Sequence, residues 1–160
     1  MGQRSAALAE DFERAMSDLE SAVEKCTDAQ WNAACPGEEW SIGVTAQHIV
    51  GQFPLEFEFL KPISEGKALP PYSWADVNSK NDSRAEREKA VTKADVLALL
   101  RSEKPRVAGW LRGLTDEQLD HKKPLALADG AEVSTQNLIE GGVLIDHVRG
   151  HTKNIQAALG

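Results

Sequence analysis

The sequence predicts an all-α fold, a four-helix bundle with a long crossover between its second and third helices. Three observations predict it. Four long segments carry apolar residues at spacings of three and four, the period of a helix with one buried face. No segment alternates apolar and polar residues convincingly, as a half-buried strand does. The 160 residues, 41% hydrophobic and 27% charged, suit one domain spanning 1–160. Four amphipathic helices that must each bury a stripe close naturally into a bundle.

The first helix is predicted from Ser5 to Lys25, where Leu8, Phe12, Ala15, Leu19, Ala22, Val23 and Cys26 line one face. Pro36 and Gly37 interrupt the stretch from Asp28 to Trp40, and Ser41 offers a hydroxyl that caps a second helix. There, Ile42, Ala46, Ile49, Phe53, Phe57 and Leu60 form one stripe, with Val44, His48, Leu55 and Phe59 beside it. Two adjacent stripes imply two neighbours. Pro54 lacks the amide that would bond to the Val50 carbonyl, which predicts a kink, and Pro62 and Gly66 are expected to end the helix.

Residues Lys67 to Asp82 read as the crossover, a loop with room for one short helix. Thr92 and Asp95 form a capping box before Val96, Leu97, Leu100, Val107, Leu111 and Leu114, so the third helix starts there and must accommodate Pro105. Thr115 and Gln118 offer a second box, hence a helical turn before a loop through Pro124 and Gly130. The last helix is predicted from near Ser134, burying Leu138, Gly141, Leu144, Val148, His151, Ile155 and Leu159, with His147 at the edge of that face.

Charge and composition exclude several functions. A net charge of -7 and a pI near 5.1 repel phosphate backbones, and Lys and Arg form no stripe, so nucleic acid is not an expected partner. The opening residues lack the apolar core of a signal peptide, and no run approaches the roughly 20 apolar residues of a membrane span. The expectation is a cytoplasmic protein without a membrane partner. Cys26 and Cys35 match no zinc or redox motif and read as reduced, unreactive thiols.

The histidines carry the chemistry. His147 and His151, one turn apart, project from one side of a helix and can reach a single ion. His48 lies in an apolar stripe of another helix and is a candidate third ligand across the core. The competing reading makes each a neutral, hydrogen-bonded core imidazole. Three core-facing histidines out of four favour the joint site. The metalloprotease motif is excluded, because it needs Glu after the first histidine and Val148 stands there.

Gln52 and Asn154, one turn beyond His48 and His151, are candidate contacts around the ligands or to a substrate. Glu56 and Glu140, two turns away, are expected in solvent, as is His121. Gly141 and Gly142 cost up to about 1 kcal/mol each in a helix interior and point to close packing or clearance for a ligand. The tryptophans read as core packing, with Trp74 and Tyr72 placed to cover the metal mouth.

The segments EEWSIGVTAQHIV at Glu38 to Val50 and LIDHVRGHTKNI at Leu144 to Ile155 together resemble the DinB-like metal-binding superfamily, including the mycothiol-dependent maleylpyruvate isomerase group. The resemblance implies a bundle in which the three matched histidines bind a divalent metal, and some members use a low-molecular-weight thiol as co-substrate. It implies a metal-dependent transferase, isomerase or hydrolase acting on a small molecule, with a noncatalytic metal- or ligand-binding bundle as the alternative. Homodimers are common among such bundles. Three imidazoles leave coordination positions open, and they suit zinc or nickel first, with iron or cobalt behind.

Overall fold

A computed structural model describes residues 2–160. Helix α1 (Gln3–Lys25) buries Leu8, Phe12, Met16, Leu19 and Val23 along one side. The short α2 (Asp28–Trp31) follows within the predicted interhelical stretch, opened by a capping box from Thr27 and Gln30. Its Trp31 ring lies so close to Gly43 that a Cβ there would meet it at 2.5 Å, so this crossing requires glycine.

The predicted second helix is two helices, α3 (Ile42–Gly51) and α4 (Phe53–Ser64). The kink expected at Pro54 is a break at Gln52, which lets Pro54 occupy the first turn of α4, where its missing amide costs nothing. Pro62 does not end α4. The carbonyl left free four residues earlier belongs to exposed Glu58 and can turn to water; closure waits for Gly66 at φ 71, with the Lys67 amide donating to the Pro62 carbonyl. Pro105 is tolerated in α6 (Lys93–Arg112) for the same reason, since Arg101 is exposed.

The crossover holds a 14-residue helix, α5 (Trp74–Arg87), longer than the short one expected. Only Val77 is buried along it, so no apolar period announced it; Ser73 and Asp76 start it with a capping box. After α7 (Asp116–Asp120) the absence of strands is corrected. Lys122–Leu125 (β1) and Ala131–Ser134 (β2) pair antiparallel, Lys122 opposite Ser134 and Leu125 opposite Ala131. These strands are short and mostly polar, and the reversal uses positive φ at Asp129 and Gly130.

The last helix is also divided, into α8 (Thr135–Glu140) and α9 (Ile145–Leu159). Gly141 turns extended at φ -85 and ψ -155, and a Cβ there would stand 2.8 Å from the Asn137 carbonyl oxygen. The glycine is therefore required by its own preceding turn rather than by a neighbouring helix. The bundle has α1 against α6 and α9, α3 against α6 and α9, and α4 against α8. Phe12 and Phe53 meet edge to face at 5.9 Å within the core. Among the described residues, no helix is long and apolar enough to cross a membrane.

Candidate metal centre

His48 projects from α3, and His147 and His151 from successive turns of α9, so the packing of α3 on α9 brings all three rings together. Their ligating nitrogens lie within 4.8 Å of one another, and Nε2 of His48 is 3.0 Å from Nε2 of His147. Ring centroids are 4.7 to 5.0 Å apart.

The outward nitrogens face carboxylates. Nδ1 of His151 is 2.6 Å from Glu38 Oε1, which also accepts from Asn154 Nδ2 at 2.7 Å. Nδ1 of His147 is 2.8 Å from Glu56 Oε1, although the contact is off the line of the N–H, and both Glu56 oxygens lack an aligned donor. A carboxylate beside Nδ1 favours the tautomer protonated there, which leaves the Nε2 lone pair for an ion. On the third ring, Trp40 packs against His48 with centroids 4.7 Å apart.

Burial and the neighbouring imidazoles push His48 down to about 2, with Arg84 adding to the shift. His151 is lowered by burial and by His147, with Glu38 pulling the other way. These two rings are thus neutral at ordinary pH, the form that binds metal. The Glu56 carboxyl is pushed up by burial, against the pull of His147 and Arg84. Three clustered imidazoles with carboxylates, Glu38 and Glu56, at the outward nitrogens of two of them fit a divalent metal.

The residues expected around the ligands divide. Asn154 holds Glu38, one step from His151. Gln52 is buried, but its Oε1 accepts from Arg84 rather than meeting a histidine. Glu140 is exposed, as expected. Glu56 is a correction. It is only 4% exposed, with His147 of α9 standing 2.8 Å from its Oε1; His48, Gln52 and Glu56 form an i, i+4, i+8 row of buried polar side chains that marks an internal site. Glu38 was not singled out, since it lies outside any helical period. Gly37 at φ 77 turns its loop so that the backbone passes against Asn154. His121 is half-buried, with Nδ1 donating to the Ser64 carbonyl at 2.9 Å.

A cavity of about 720 Å³ opens on the three histidines. Trp74 lines it from α5 while staying 59% exposed, and its Nε1 donates to the Leu127 carbonyl across the opening. Tyr72 packs on Phe59 instead of lining the cavity. Gly142 borders it, with nothing within 4 Å of a Cβ built there, which favours clearance over packing at that glycine. Cys26 and Cys35 are buried, free and away from the cavity; burial raises both thiols, which accords with unreactive cysteines.

A helical bundle whose helices converge three imidazoles on one point defines a class of histidine-site bundles. The chain belongs to the DinB superfamily, whose sequence pattern matches residues 11–154. It is similar in fold to YfiT from Bacillus subtilis, described as "a probable metal-dependent hydrolase with an unusual four-helix bundle topology", with TM-score 0.75 and 20% identity over 99% of this chain and 87% of that one. No curated protein matches the sequence significantly.

Proposed function

We propose that this chain binds one divalent transition metal ion through His48, His147 and His151 and hydrolyses a small, partly apolar molecule held in the adjoining cavity. One observation carries the reading. The clustered imidazoles open on the same 720 Å³ cavity as Glu56, a buried carboxylate without an aligned donor. Zinc or nickel suits an all-imidazole set best, with iron or cobalt next. The description of YfiT points to the same reaction class.

A bound ion of this kind supplies Lewis acidity and lowers the pKa of the nucleophile it activates. The protein's own groups do the rest. Glu56, whose carboxyl burial pushes above its ordinary value, stands beside the histidines where it is suited to take a proton and return it to the leaving group. Glu38 orients His151 through Nδ1 and is itself steadied by Asn154. Leu55, Phe59, Leu138 and Val143 give the cavity an apolar wall that keeps water from the body of the substrate.

The test is a screen of esters, amides and lactones with zinc- or nickel-loaded protein, with and without an added thiol. Turnover should vanish on chelation and fall about a hundredfold or more in Glu56→Gln while metal content stays the same. Full turnover in Glu56→Gln would refute its role. Turnover only with thiol present would assign the thiol-transfer chemistry of related proteins, and metal binding without turnover a noncatalytic protein.

A further inference from the structure

The cavity wall has a one-sided charge. Apart from the histidines, its ionisable side chains are Glu38, Glu39, Glu56 and Asp82, and among the described residues no Lys or Arg lines it. Arg84 reaches Gln52 but is not part of the wall. Unmet hydrogen-bonding capacity has the same sign. Glu56 Oε2 and Asn81 Oδ1 are buried acceptors without a donor, and Glu56 Oε1 has only the poorly aligned Nδ1 of His147 at 2.8 Å. A buried acceptor is satisfied by an N–H or O–H group and repelled by another anion.

Opposite these polar groups the wall is apolar, from Leu55, Phe59, Val77, Leu138 and Val143. A ligand that satisfies both parts has an apolar body and a donor-rich head. We propose that the cavity selects an amine, an apolar molecule with an ammonium head, over carboxylates and phosphates; the inference rests on reading this cavity as the substrate site. A divalent ion does not reverse the balance. Its two charges and that of Arg84 behind Gln52 are matched by Glu38, Glu39 and Asp82 with Glu56 left out, so the site gains no cationic excess and the exposed mouth at Glu39 and Asp82 stays anionic. A protonated amine supplies up to three donors and a charge that the surrounding carboxylates stabilise, whereas an anionic head finds no cationic side chain in the wall.

Phenylpropylamine, phenylpropanol and phenylpropanoate share one apolar body and differ in the head, so their binding isolates the effect of charge. Calorimetric titrations at low salt use the zinc-loaded protein and the same protein stripped of metal. The amine should bind about tenfold or more tightly than the carboxylate, with the alcohol between them, and its advantage should shrink as salt screens the exposed carboxylates. Replacing Glu39→Gln and Asp82→Asn together, both at exposed positions where folding is little affected, should cut the preference severalfold. A carboxylate that binds as well as the amine overturns the inference, as does an undiminished preference in the double variant or failure of all three probes to bind. The two preparations separate this inference from the metal reading. Amine preference in a chain that takes up no zinc supports the inference and removes the metal, whereas zinc binding with carboxylate preference removes the inference alone.

Discussion

The two sides of this molecule are built differently. Where α1 packs on α6, the helices are long and unbroken, the buried faces are largely apolar, and ion pairs such as the exposed Arg101 with Glu20 and the half-buried Arg112 with Glu13 lie along the seam. Where α3, α4, α8 and α9 meet around the cavity, regular structure is interrupted repeatedly. α3 and α4 part at Gln52, α8 and α9 part after Gly141, and the turn at Gly37 carries Glu38 to His151. Buried polar side chains gather here, His48, Gln52 and Glu56 among them. Departures from ideal helix geometry coincide with the candidate chemistry, as expected when a site is held by packing elsewhere.

The comparison predicts that stability and metal binding respond to different substitutions. The largest effect on stability is expected at Phe12, fully buried against Phe53. Phe12→Ala should lower the unfolding free energy by about 3–5 kcal/mol, read by urea denaturation, because a large cavity replaces the ring. In the folded fraction, metal affinity should stay near that of the parent. A loss of affinity as large as that from His147→Ala would erase the distinction between the two sides.

Glu38→Ala sharpens the comparison from the other direction. Without the carboxylate at Nδ1, His151 loses its fixed tautomer and orientation, and zinc affinity should fall by about 10- to 100-fold while the melting temperature of the metal-free protein barely moves. Asn154→Ala, acting only through Glu38, should show a smaller loss of the same kind. Unchanged zinc affinity in both variants would show that the loop at Gly37 does not support the site.

The smallest effect is expected at the ion pair between α1 and α9. Hydrogen bonding to Arg149, against some burial, holds the Asp11 carboxyl below its ordinary value of 3.8, with Arg14 assisting. A depressed carboxyl contributes stability that is present above its unfolded-state pKa and lost as the pH falls through its folded-state pKa. Asp11→Asn should therefore be less stable than the parent near neutrality by under about 1 kcal/mol and converge with it as the pH falls through the folded-state pKa of Asp11, below its ordinary value. A difference that persists at the acid end would assign the effect to packing.

The legibility of the sequence follows the same division. Spacing alone identifies α1 and α6, because their buried faces keep one apolar period for about four turns or more. That His48, His147 and His151 face the core follows from two apolar stripes and a one-turn spacing, whereas their convergence is set by the packing of α3 on α9. What escaped the periodic pattern is polar or short. α5 buries only Val77, β1 and β2 have four residues each, and Glu38 reaches His151 through a turn at Gly37 rather than along a helix. Glu56 was misjudged for another reason. Its place two turns from His48 along the chain says nothing about the fold around it, which buries it and sets His147 of α9 against its carboxylate.

The most direct test of the central claim is metal content. The untagged protein, purified without chelators, is compared by plasma mass spectrometry with a variant carrying His48→Ala, His147→Ala and His151→Ala, after confirming by circular dichroism that both are helical. The account predicts close to one transition metal ion per parent chain and almost none in the variant. Equal, negligible metal in both, even after supplementation with zinc, nickel and iron, would contradict it and reduce the three histidines to neutral imidazoles packed in a core.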